Sequence, residues 1–199
     1  MPIVPTPVLT PVAPAAPTAM VNVAAAATVW RVSGVPAPII ARLVASPPAP
    51  YGTVPSAAVA ILTNTARTNL ARMTVEGLGF AVTEFQVGRG GYNPNDPTQA
   101  TAPNPAAVAL IDPVWPGTAT YELIDSIEYP NSAAAAFLCR LEWTEALHGL
   151  GEIGLWATVT ASPLFPAEVG TKFLFAIAHV PLQAKTANHV YGWRIVVAP

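Results

Sequence analysis

The chain has 199 residues, a formal net charge of −2, 10% charged and 52% hydrophobic residues, 23 prolines and one cysteine. A typical soluble domain is about 25% charged and about 5% proline, so charge is scarce here and proline abundant. The near-neutral balance offers no basic field for a phosphate backbone, the apolar content argues against charge-driven disorder, and Cys139 alone allows no internal disulfide.

The length suits one or two domains with a true core. A surface so short of charge is poorly soluble by itself, which points to burial in an assembly.

From Met1 to Trp30 no side chain is charged, and prolines recur at 2, 5, 7, 11, 14 and 17. A signal peptide would need a basic start, and a membrane helix would lose backbone hydrogen bonds at each proline, so neither is expected. The composition predicts an extended, polyproline-like arm over residues 1–50. Ile3, Val4, Val8, Leu9, Val12, Met20, Val21 and Trp30 are more apolar than a solvated linker requires, and with Arg31 they are candidate contacts to a neighbouring subunit. Up to Val75 the ionisable residues are Arg31, Arg42, Arg67 and Arg72, while the acids all lie from Glu76 onward. Self-association would use that asymmetry.

Prolines 36, 38, 47, 48, 50 and 55 punctuate a second irregular stretch, with a short strand expected at Ile39–Val44. The body, 51–199, opens on a helix predicted from an N-cap at Ser56 to about Thr74, with Ile61, Leu62, Leu70 and Met73 toward the core and Gly77 and Gly79 as its stop. A strand follows at Gly79–Gly88, then a long proline-rich loop from Arg89 to Gly117 that could reach a neighbour. Further strands are predicted at Thr118–Tyr129, Ala134–Thr144, Glu152–Thr160, Thr171–Val180 and Val190–Val197. In the Thr171–Val180 strand, alternation puts Phe173, Phe175, Ile177 and His179 on one side and Leu174, Ala176 and Ala178 on the other. Both faces are apolar, so the sheet should be covered on each. The fold class expected is α+β and β-rich: an antiparallel β-sandwich-like body with one leading helix and an extended proline-rich N-terminal arm.

Chemistry is sparse. Glu145, His148 and Glu152 contain a Glu-x-x-His spacing used in helical di-iron sites, but Gly149, Gly151 and Gly154 interrupt any helix and no second copy exists. The pairs Glu142 with Glu145 and Asp125 with Glu128 read better as solvated surface than as acid and base. Gly-x-Ser-x-Gly, phosphate-loop and dinucleotide fingerprints are missing. No catalytic residue, cofactor or metal is expected. His179, His189 and Cys139 read as packed residues. Trp115, Trp143, Trp156 and Trp193 with the carboxylates leave a carbohydrate-binding module or glycoside hydrolase as a weaker reading.

Four segments carry a resemblance when taken in order: Ile61-Leu62-Thr63-Asn64-Thr65-Ala66-Arg67-Thr68-Asn69-Leu70; Phe85-Gln86-Val87-Gly88-Arg89-Gly90-Gly91-Tyr92; Gly151-Glu152-Ile153-Gly154-Leu155-Trp156; and Phe173-Leu174-Phe175-Ala176-Ile177-Ala178-His179 with Lys185. Together they resemble the domain at the N-terminus of many bacteriophage tail-collar and tail-fibre proteins, over about Ser56 to Val197. The resemblance implies a non-enzymatic virion structural protein of the tail tip, baseplate or collar, assembled in the host cytoplasm. Its partners would be other virion proteins and further copies of itself, in a trimer or ring, with no nucleic acid or membrane. A capsid decoration or head-fibre protein is the alternative. The family's shaft and receptor-binding tip do not follow Pro199, so the expectation is an adaptor. Among the matched residues the glycines at 88, 90 and 91 should let the chain reverse with Tyr92 covering the turn, and Glu152, between Gly151 and Gly154, should accept bonds from backbone or Arg140 and pin two strands.

Overall fold

A computed structural model describes residues 24–33, 59–114, 121–131, 134–142, 144–186 and 189–198. The strands are β1 (Ala24–Ser33), β2 (Val59–Leu62), β3 (Gly79–Gly88), β4 (Tyr92–Asn93), β5 (Asp96–Ala100), β6 (Pro113–Val114), β7 (Glu122–Leu123), β8 (Ser126–Asn131), β9 (Ala134–Leu141), β10 (Gly149–Ala161), β11 (Lys172–Ala184) and β12 (His189–Ala198). One α-helix, α1 (Asn64–Glu76), stands among them, and a short 3-10 turn, Pro166–Glu168, joins β10 to β11. Among the described residues the protein is thus β-rich, with a single α-helix and antiparallel pairing throughout its sheets.

The main sheet runs β6-β3-β10-β11-β2-β1-β12-β9-β8, and β7 pairs with β3. That last pairing matters because only Ile124 and Asp125 separate β7 from β8. Ile124 N donates to Thr83 O at 3.0 Å and Asp125 N to Leu138 O at 2.9 Å, so one short bend is bonded to β3 on one side and β9 on the other. The sheet is therefore tied from β3 to β9 through that bend. Phe85 and Val87 from β3, Ile153 and Leu155 from β10, Cys139 and Leu141 from β9, and Tyr191 and Trp193 from β12 share one core.

β11 shows why both faces of the sheet are apolar. Leu155 pairs with Ala176 but Trp156 pairs with Leu174, so Phe175 is an extra residue, a β-bulge. Before the bulge Phe173 and Phe175 face the core; after it Ala176, Ala178 and Val180 do. Leu174 and Ile177 face outward, into a second cluster with Trp156 and Leu110. The simple alternation expected for this strand is corrected by that one inserted residue.

Three further expectations change. The helix starts at Asn64 rather than Ser56, because Val59–Leu62 is a strand lying beside β11 with Ile61 opposite Ile177. Its N-cap is the fully buried Thr63, whose Oγ1 accepts from Ala66 N at 3.1 Å and donates to Leu174 O at 2.6 Å. Its C-cap is Gly77, in the left-handed conformation at φ 71°. Ala66 and Asn69 are its buried residues, Leu70 is partly buried, and Met73 is exposed. Second, the strand expected at Thr118–Tyr129 is β7 and β8 with the bend between them. Third, Trp30 and Arg31 belong to β1, opposite Gly192 and Tyr191, so this piece of the expected arm is part of the sheet. Ile3, Val4, Val8, Leu9, Val12, Met20, Val21, Ser56 and the strand expected at Ile39–Val44 lie outside the described residues. Among the described residues no helix is long and apolar enough to cross a membrane.

Because the Thr63 hydroxyl satisfies one helix N–H and one strand carbonyl, Thr63→Ala should cost about 2 kcal/mol. In thermal melts of a chain this size that is a drop of about 4–8 °C. Thr63→Ser should recover most of it; an equal loss in both variants would assign the effect to the methyl group.

Candidate functional site: a buried carboxylate under a glycine turn

Glu152 lies on β10 between Gly88 of β3 and His179 of β11. Only 1% of its surface is exposed. Burying a carboxylate is costly unless its oxygens accept strong hydrogen bonds. Here Oε1 accepts from Asp112 N at 2.9 Å and Gly90 N at 3.2 Å, and Oε2 accepts from Ile111 N at 3.1 Å. Of the two kinds of donor expected, backbone or Arg140, the donors are backbone, and Arg140 pairs with Asp125 at 3.3 Å and Glu142 at 3.1 Å.

The three donors belong to 89–114, the described part of the Arg89–Gly117 loop that could have reached a neighbour. It crosses its own sheet instead. Arg89 N donates to Asp112 O at 2.8 Å, Thr101 N to Gly91 O at 2.9 Å, and Asn64 N to Pro105 O at 2.7 Å. Leu110 packs on Trp156, Leu174 and Ile177. The segment is a second layer, and Glu152 is the polar joint between the layers.

The motif glycines follow from that joint. A Cβ on Gly88 would lie 2.7 Å from Glu152 Cγ and 2.8 Å from Asp112 O. One on Gly90 would lie 2.7 Å from Ile111 Cβ, and one on Gly151 2.6 Å from Tyr92 Cδ1. Only Gly91 needs positive φ, 86°, and a Cβ there would also meet the His179 ring at 2.9 Å. These positions are glycine chiefly because chain and carboxylate approach so closely, with a tight reversal required at Gly91 alone. Gly154 is farther along the same face, where Leu174 Cδ1 would lie 2.6 Å from an added Cβ. Leu155 points the other way into the core. Asn64 reaches the same overlying segment through Pro105.

Lys185 lies apart, buried near the β9–β10 connection, where Nζ donates to Glu142 O and its backbone N donates to His148 O at 2.9 Å. Burial lowers its pKa, opposed by Glu145 and Glu142. Glu145 Oε2 accepts from Glu142 N at 2.7 Å within a turn, so the Glu-x-x-His spacing sits on no helix. Among the described residues no three His, Cys, Asp or Glu side chains are grouped to hold a metal.

His179 and Thr101 complete the joint, and neither was singled out as functional from sequence. His179 is 2% exposed. Its Nδ1 is 3.1 Å from both Thr101 O and Thr101 Oγ1. A carbonyl only accepts, so Nδ1 carries the hydrogen and the neutral ring turns Nε2 toward Glu152 Oε2, 3.9 Å away, with no hydrogen-bond partner. Burial pulls the His179 pKa below the ordinary histidine range, against the opposing pulls of Glu152 and the Thr101 carbonyl. With Glu152 engaged by three amides and both side chains buried, the arrangement fastens the segment 89–114 to the sheet. Trp156 and Trp193 are buried as well, so they form no exposed sugar platform.

No family model, curated protein or solved structure matches the chain.

Glu152→Ala removes the acceptor of three backbone amides, for which a loss of about 3 kcal/mol is expected. The melting temperature should fall by about 6–12 °C, and Glu152→Gln should fall between; an unchanged melt would mean the carboxylate is not the joint. For His179 the unfolded chain binds its proton at about pH 6.5 while the fold resists it. Stability present above that value is therefore lost as pH falls through the depressed folded pKa. His179→Gln should flatten the drop in melting temperature between about pH 7.5 and about pH 5.5, whereas a slope as steep as wild type would assign it elsewhere.

Proposed function

We propose that the chain is a non-enzymatic structural part of a tailed-phage particle, an adaptor of the tail tip, baseplate or collar. Its residues 1–23 lie along a neighbouring virion protein, and its β-rich, sandwich-like body carries the joint. The observation that supports this most is convergence: the Gly88–Tyr92 turn and the Gly151–Gly154 strand, far apart in sequence and both part of the fibre-domain resemblance, meet at Glu152. Their polar chemistry is consumed in holding the body together, as a structural module requires.

A second line of support is the surface. Leu123, Ile127 and Tyr129 follow one another along β7 and β8 and stay exposed, as do Val75, Val108 and Ile111. Exposed apolar runs on a chain with so little charge favour life inside an assembly. The work is noncovalent: buried apolar area contributes about 25 cal/mol per Å2, and repetition around a ring multiplies modest contacts.

Deleting residues 2–22, which spares β1, should leave the melting temperature within a few degrees of the parent while abolishing incorporation into particles. Incorporation of the truncated chain at the normal level would defeat the proposal.

A further inference from the structure

β1 is attached to the rest of the sheet in an unusual way. It pairs along its whole length with the last strand of the chain, from Ala24 opposite Ala198 to Ser33 opposite His189. Toward β2 the register among the described residues holds a single pair, Ala25 with Ala60. In sequence it is separated from β2 by residues 34–58, which contain prolines 36, 38, 47, 48, 50 and 55. That length of chain can span up to about 80 Å, several times the width of a strand pair.

We propose that β1 is an exchangeable strand, so that in the assembled protein Ala24–Ser33 of one copy completes the sheet of a second copy, beside that copy's β12. Every pairing β1 makes with its own β12 is available in an identical chain, so the strand energies of the two arrangements cancel. What decides between them is chain entropy against concentration. Closing a long connection favours the internal partner only through an effective concentration of the order of millimolar, which copies gathered in a ring can match. A copy whose β1 has left exposes the full β12 edge, with its row of unpaired N–H and C=O groups, and that edge is satisfied by accepting the strand of another copy. Exchange therefore propagates from one subunit to the next, as head-to-tail contacts do when they close a ring.

The partner is a second copy of this chain, and the proposal rests on the assembly reading above only in requiring that copies meet. In a Cys139→Ala background, Ala26→Cys is placed on one tagged chain and Val196→Cys on a differently tagged one. These positions are opposite in the β1–β12 register, and cross-strand Cα separations of about 4.5–5.5 Å suit a disulfide. Co-expression and mild oxidation should give a disulfide-linked heterodimer on a non-reducing gel, with light scattering reporting a dimer or larger. A chain carrying both cysteines that forms only an internal disulfide, with no heterodimer from the mixed chains and a monomeric mass, overturns exchange. Absence of both disulfides overturns it too, because the β1–β12 register would then be wrong. Neither outcome touches the particle-incorporation test, so failure of strand exchange and failure of the virion reading are separable.

Discussion

The fold depends on a carboxylate placed where water cannot reach it. Glu152 stands on β10, flanked by β3 and β11, and its oxygens are satisfied only because amides from 62 and about 40 residues earlier in the chain come to it. The cost of burial makes the arrangement nearly all-or-none: with the segment 89–114 in place the charge is well bonded, and without it β10 carries an orphaned anion. Those bonds also hold Leu110 over Trp156, Leu174 and Ile177, so a polar joint and an apolar cluster assemble together. The glycines at 88, 90, 91 and 151 clear the space that lets the two layers approach.

Covering the outer face has a consequence for the inner one. β10 and β11 are buried on both sides, which explains sequences with little polar alternation, such as Ile153 to Ala157 and Phe173 to Val180. The core then needs the sheet to curl far enough for β3 and β9 to approach, and the Ile124–Asp125 bend ties them. Thr63 joins the remaining element, since its side chain ends β2, caps α1 and bonds β11 at one point. Helix, sheet and overlying segment are coupled through a few buried polar groups, each linking elements distant in sequence.

Much of the sheet was legible because strand-length apolar runs carry their own boundaries: β3 is the strand read from Gly79 to Gly88, and β9 to β12 differ from expectation mainly at their ends. β2 was read as the start of the helix because Val59–Leu62 is a short apolar run, which periodicity cannot assign. Its state is settled by pairing with β11, a partner more than a hundred residues away. The bulge at Phe175 was invisible for a similar reason, since an extra residue shows itself only against the opposite strand. At the site, Glu152 was expected to accept bonds from backbone or Arg140, and backbone supplies them, but which amides do so was not legible. Backbone amides carry no side-chain signature, so Gly90, Ile111 and Asp112 could not be read as donors. His179 could have been found by pairing the β10–β11 hairpin about its Phe165-Pro166 turn, which sets it opposite Glu152.

The scarcity of charge gains a more specific meaning from where the charges are. Arg72 is bound to Glu76 and Glu168 at 2.7 and 2.8 Å, Arg89 to Asp112 at 2.9 Å, Lys172 to Glu84 at 2.6 Å and Arg194 to Glu128 at 3.3 Å. Arg140 is shared by Asp125 and Glu142, and Glu152 and Lys185 are buried. Few charges on the described body are therefore left to repel another copy or to hold a hydration layer. Self-repulsion is among the ordinary defences of a soluble monomer. A body that pairs its charges internally while leaving Leu123, Ile127 and Tyr129 exposed has relinquished that defence along one edge. What would favour assembly is thus less the small number of charges than their neutralisation within one chain.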